Sequence, residues 1–407
     1  MNDVTRVVVI FASIAGTAAC GSKVTEELGV TSEPLTLGTT IAGLTSAQQA
    51  GFADGKQEFN EVEDINPGGL GPVFNEKGCG SCHNEGALGG AGVQVETRAG
   101  RLVNGVFDPL ASEGGSLFQH FGIGGQVQNP ACTTHGEVVP SDANVVAGRR
   151  TIPLFGLGLV DATPDATFQA LAASEPAAVR GSAPLVPNVV TGRTSVGKFG
   201  WKDQNPTLFQ FSGDAYLNEM GVTSPFFPVE NAPQGSAAML AACDTVPDPD
   251  DDGGDVFRFT RFMQFLAPPA RAAVSPQVTA GDAVFSRLHC DTCHVRNITS
   301  GSAVDVDGNP VAGLSNVTYH PFSDFLMHDM GSLGDNIEQG TGLTQMRTAP
   351  LWGLRFENPN QLLHDGRAHS LTDAVQMHAG QGQAAATAFK ALSNDDKNNL
   401  LVFLASL

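Results

Sequence analysis

Basic residues are scarce in this chain: 22 Lys and Arg stand against 42 Asp and Glu, a formal net charge of −20 over 407 residues. A surface of that sign excludes nucleic acid as a natural partner and an anionic membrane as a docking surface. It suits a basic partner steered by charge, or serves solubility alone. Long apolar runs are also missing. The run from Val7 to Ala19 is too short to span a bilayer and fits the core of an export signal. The acidic run 248–255 has partial Asp-x-Asp-x-Asp-Gly spacing but lacks the Glu that closes a calcium loop; Phe259 takes its place. It reads as a solvated surface loop. Tryptophan occurs only twice, at Trp201 and Trp352.

What is present is a doubled motif, Cys79-Gly-Ser-Cys82-His83 and Cys290-Asp-Thr-Cys293-His294. Cys-x-x-Cys-His is the spacing that attaches haem c: two thiols form thioethers to the vinyl groups, and the adjoining imidazole binds iron. A zinc site would need further Cys or His at short spacing, and neither motif has a second Cys-x-x-Cys beside it. A dithiol site would not need the histidine. The surroundings repeat as well. Gly71 and Phe74 precede the first motif, Gly281 and Phe285 the second, and each Phe stands five residues before its Cys. The repeat predicts one duplicated unit, an amphipathic helix leading into an attachment turn.

The other three cysteines sort by compartment. Cys20 follows Thr17-Ala-Ala, small residues that resemble a bacterial lipoprotein cleavage site, although Thr17 replaces the usual Leu; ordinary cleavage nearby is the alternative. Either implies export, to the periplasm or to an outer-membrane anchor, with contact to membrane only through that lipid. Cys132 and Cys243 remain, and in an oxidising compartment the pair predicts a disulfide.

The length allows two or three domains. The expected order is a signal peptide 1–20, a Ser/Thr/Gly-rich tether 21–43, an N-terminal cytochrome c-like haem domain 44–270 that contains a large loop-rich insertion, and a C-terminal cytochrome c-like haem domain 275–407. Helices are expected from Thr45, carrying Phe52 and Phe59, and after Ser393, carrying Leu400, Leu401, Phe403, Leu404 and Leu407 on one face. The expected fold class is mainly α.

Five further strings carry a resemblance: Ala147–Gly158, Phe199–Leu208, Tyr216–Thr223, Arg347–Leu354 and His364-Asp-Gly-Arg-Ala368, with Met327-His-Asp-Met-Gly331 beside them. In these the chain resembles the di-haem oxidoreductases, relatives of bacterial di-haem cytochrome c peroxidases. The resemblance implies two covalently bound haem c groups, with a calcium ion near Thr348 and Pro350. It implies reduction of hydrogen peroxide or another small oxidant with electrons from a small soluble redox protein. It places Glu219 over the active haem, where a carboxylate of raised pKa can take a proton from one peroxide oxygen and deliver it to the other. Gln204 would orient the bound oxygen species, Trp201 would stand between the haems, and His364 would secure the second pocket. His83 and His294 are the proximal iron ligands. His378, fourteen residues after His364, falls where those peroxidases place a distal Met, and is the expected sixth ligand of the second iron; His328 and Met330 compete for that place. His120 is the candidate sixth ligand of the first iron, with His135 further on. Two other functions fit the same motifs: an electron carrier with both irons six-coordinate, or an oxidase of an organic or protein substrate.

Overall fold

A computed structural model describes residues 37–407. The expected signal peptide, Cys20 and residues 21–36 of the tether lie outside the described residues. Residues 37–43 are packed rather than free: Thr40 bridges Leu266, Ile41 donates its amide to the Phe265 carbonyl at 2.8 Å, and the Ile41 side chain is buried. No helix among the described residues is long and apolar enough to cross a membrane.

The architecture is mixed α/β, with 33% helix and 14% strand, which corrects the expected mainly α class. Eleven α-helices and five small sheets make up the described residues. Most strand residues arise in the segment read as a loop-rich insertion, with two further two-stranded pairs between Ile298 and Arg347. Val95–Val103 and Val106–Asp108 form a hairpin around Asn104-Gly105, both at positive φ, which matches the right-handed twist of the strands. Val95–Val103 also pairs antiparallel with Leu117–Phe118 and Val145–Arg150. Its side chains alternate between faces, so Glu96 and Arg98 share one face.

The helix expected from Thr45 runs Ser46–Phe59. Thr45 caps it, its Oγ1 accepting from the Gln48 amide while Gln48 reaches back to the Thr45 amide. It crosses the helix Gly254–Phe265 at Gly55, where a Cβ would meet the Arg258 carbonyl at 2.2 Å. The helix expected after Ser393 is Asn394–Leu404, capped by Ser393 Oγ, with Leu400, Leu401, Phe403 and Leu404 buried. It packs on the helix Pro276–Arg287, again through a glycine, Gly281.

The duplicated unit is only half realised. Phe285 lies on Pro276–Arg287 and leads into the 3₁₀ turn Cys290–Thr292. Phe74 instead lies on the two-residue strand Val73–Phe74. Pro67 and three glycines, 68, 69 and 71, prevent a helix there, and Gly71 lies against the backbone of Gly221 with no room for a Cβ.

Apolar burial does not divide at residue 270. One large cluster joins Ile41, Phe52, Phe59 and Phe262 to Ile298, Tyr319, Phe325 and Trp352, so the segment 298–352 is packed on the N-terminal part. A smaller cluster holds Phe285, Phe322, Phe389, Leu400 and Phe403 beneath the second attachment turn. Cys132 and Cys243 are joined, tying the loop after Gly124 to the helix Ala237–Cys243. The acidic run is not wholly solvated: Asp248 and Asp250 accept from the buried Thr223 hydroxyl, and Asp251 is itself buried.

Candidate active site

Each Cys-x-x-Cys-His turn opens onto its own cavity. Cys79, Cys82 and His83 line one of about 380 Å³; Cys290, Cys293 and His294 line another of about 720 Å³. Both volumes fall in the range of cofactor pockets. Burial raises all four thiols. Burial lowers both imidazoles to about 4 and keeps them neutral, the state that binds metal. His83 Nδ1 bonds the Gly90 carbonyl at 3.2 Å and His294 Nδ1 the Phe322 carbonyl at 2.9 Å. Such bonds fix the tautomer and leave Nε2 as the ligand atom.

The His378 ring faces His294 with centroids 6.4 Å apart. An ion held at about 2 Å by one nitrogen of each ring would set the centroids roughly 6 Å apart. His378 follows the helix Leu371–Gln376, which ends two residues before the expected Leu371–His378, and its Nδ1 bonds the Ala374 carbonyl at 2.8 Å. Met377 beside it is turned out and exposed. Met330 lines the same cavity. His328 also lines it, but both its nitrogens are engaged, Nε2 with Asp324 at 3.0 Å and Nδ1 with Gln381 at 3.2 Å. Burial works to lower His328, yet its bonds to Asp324 and Cys293 outweigh this and push it up to about 11. These residues fit a haem held between two histidines.

The first cavity is built differently. His83 packs against Phe59, with ring centroids 5.9 Å apart. His120 reaches the lining, but it is exposed, and its Nε2 bonds the Thr97 hydroxyl at 3.0 Å. His135 is exposed and outside both cavities. Carboxylates occupy the wall instead. Glu219, near the end of the helix Leu208–Met220, accepts from Asn75 Nδ2 at 2.7 Å. Burial and then the neighbouring Glu96 push its carboxyl up to about 8. For Glu96 itself the fork of Arg98, at 2.9 and 3.2 Å, outweighs burial and holds the group below the usual range. Asp214 stands on the same wall, bonded by Asn205 and Asn218. Gln204 lines the cavity, its Oε1 accepting from the Lys202 amide at 3.3 Å. Sequence reasoning singled out Glu219 and Gln204 but missed Glu96, Arg98 and Asn75. The signal for the first two was available: Val-Glu-Thr-Arg alternates before an Asn-Gly turn.

Trp201, Arg150 and Ile152 line both cavities. Trp201 Nε1 donates to the Arg150 carbonyl at 2.9 Å, and the Arg150 amide donates to the His364 carbonyl at 2.6 Å. The Arg150 backbone therefore holds Trp201 and His364 together, their rings 6.1 Å apart. His364 is buried, lines the second cavity, and its Nε2 has no hydrogen-bond partner. The Trp201 loop is anchored by Lys202, which is fully buried: Nζ meets Asp335 at 2.8 Å and the carbonyls of 342, 343 and 345. The Thr348 carbonyl, in the segment expected near a calcium ion, already accepts from Ser323 Oγ at 2.7 Å.

Residues 121–407, well over half of the chain, match the family model described as "Di-haem oxidoreductase, putative peroxidase". No curated protein matches the chain.

Proposed function

The chain belongs to the di-haem oxidoreductase family, and from that premise we propose that it reduces hydrogen peroxide in the His83 cavity with electrons taken in at the His294–His378 cavity. The observation that carries this reading is the asymmetry of the two sites: an imidazole faces His294, whereas a protonatable carboxyl, Glu219, shares the wall of the His83 cavity. Haem c, attached at each Cys pair, would supply one-electron iron chemistry at both sites.

One peroxide takes up two electrons and two protons and leaves as two waters. The protein's part is to hold and move those protons. Glu219, pushed up to about 8, keeps a proton at neutral pH, and Asn75 fixes its Oε2. Its carboxyl gives its proton to the far oxygen, which departs as water, and takes the proton of the near oxygen in exchange, so the acid form is restored. Gln204 presents its amide from the opposing loop to orient the bound oxygens. Trp201, in the wall common to both cavities, bridges the electron path between them.

A small basic redox protein is the fitting electron donor for a chain of charge −20. The Cys132–Cys243 disulfide supports work in an oxidising compartment such as the periplasm. Anaerobic mixing of the reduced protein with peroxide, followed by visible spectroscopy, tests the function. Rapid reoxidation is expected; if neither site reoxidises at an appreciable rate, the peroxidase reading is wrong.

A further inference from the structure

The wall of the His83 cavity carries more negative than positive groups in contact. Glu96 and Glu219 meet there as a hydrogen-bonded pair, one from the strand Val95–Val103 and one from the helix Leu208–Met220. The guanidinium of Arg98 is hydrogen-bonded to Glu96 through two of its nitrogens and acts on Glu219 and Asp214 through charge alone. Arg149, from the neighbouring strand, lies 3.9 Å from Glu96 but only 2.8 Å from the buried Asp335. Asp214, five residues before Glu219, is held by two amides, with the Arg98 charge nearby. Glu76, Cys79, Cys82 and His83 lie on the side of the Cys-x-x-Cys-His turn, Arg150 on the wall toward the other cavity, and His120 at the mouth. Two carboxyls in contact, sharing one full guanidinium, retain one proton between them.

We propose that Glu96 is a positioning residue for Glu219: gripped by Arg98, its carboxylate accepts the hydrogen bond of the Glu219 carboxyl and keeps the transferable proton on Glu219, in the His83 cavity. The fork decides which carboxyl is charged. A bidentate guanidinium stabilises a carboxylate more than a neutral acid, so the proton resides on the partner outside the fork. The Asn75 amide on Glu219 Oε2 leaves Oε1 as the atom that carries it. The inference rests on the role given to Glu219 above and adds what holds that residue in its acid form.

Infrared spectroscopy of the oxidised holoprotein tests it without peroxide. The carboxylic-acid C=O band lost in Glu219→Gln reports protonated Glu219, and its disappearance with rising pH gives the midpoint. In the wild type the midpoint is expected near 8. In Glu96→Gln it is expected to fall by at least one pH unit. Because that variant leaves Arg98 without its partner, Glu96→Gln is also measured in an Arg98→Gln background, where the midpoint is again expected to fall relative to Arg98→Gln alone, and this pair decides if the single variant fails to fold. An unchanged midpoint in the variants that fold overturns the proposal. A shifted midpoint in a protein that does not reduce peroxide would uphold the pair and sink the peroxidase reading instead.

Discussion

Opposite His294 the chain places a second imidazole, and on the wall of the His83 cavity it places carboxyls. His378 is positioned by the end of a short helix and by its own bond to Ala374. Glu219 is positioned by a long helix and by Asn75, beside a strand that brings Glu96 and Arg98. The attachment turns are the same five-residue pattern, so the difference lies in what the rest of the fold delivers to the far side. Two strong ligands suit electron transfer; a proton-holding group beside an open face suits chemistry on a small oxidant. A duplicated motif has thus been given two environments by unlike packing around it.

The largest way to break this contrast is Glu219→Gln. Gln keeps the shape but cannot hold or pass a proton, so peroxide reduction should fall by roughly 10²–10⁴-fold. The potential of the His294 site should stay unchanged. Stopped-flow rates and redox titration of the same sample check both halves. The pH dependence sharpens the point: the acid form of Glu219 is the active one, so the rate should fall as pH rises through about 8. The linked stability has the same sign. A carboxyl at about 8 in the folded chain and 4.5 unfolded binds more protons when folded, so its contribution declines between those values as pH rises.

Next comes His378→Met, which should leave haem attached at Cys290 and Cys293 and raise the potential of that site by roughly 0.2 V, a part of the range axial ligands command. His378→Ala should open the site and give a high-spin spectrum; an unchanged low-spin spectrum would move the ligand to Met330. A smaller effect, common to both sites, is expected from the double variant Cys132→Ala/Cys243→Ala. It should cost about 2–4 kcal/mol in denaturant unfolding while both visible spectra stay as they were. The smallest change is Trp201→Phe. It leaves the Arg150 carbonyl without its donor, at about 1 kcal/mol. It should slow electron exchange between the sites while leaving each site's own spectrum in place, which flash-induced kinetics can read.

Some of this was legible in the chain and some was not, for physical reasons. Caps at Thr45 and Ser393 are local: a side chain and an amide three residues away settle them, and both helices begin where expected. Parity and export pointed to Cys132 with Cys243, whose sulfurs meet across 111 residues. The mainly α expectation failed on Val95–Val103 and Val145–Arg150, because sheet pairing joins segments about fifty residues apart. The repeat of Gly and Phe before each motif suggested a repeated helix, and Pro67 with its glycines overrode it at the first. His328 competed with the favoured His378 in the sequence; only the fold shows that Asp324 and Gln381 have taken its nitrogens.

By itself the sequence determined the two Cys-x-x-Cys-His turns and the acidic charge, since each is written in contiguous residues or in a sum over them. Tertiary structure alone decided which groups face those histidines and that Trp201, Arg150 and Ile152 form a wall common to both cavities. It also set the proton affinity of Glu219, because burial and the nearness of Glu96 belong to no residue alone. Such properties depend on distances between segments far apart in the chain, and those distances exist only once the shared core from Ile41 to Trp352 has closed.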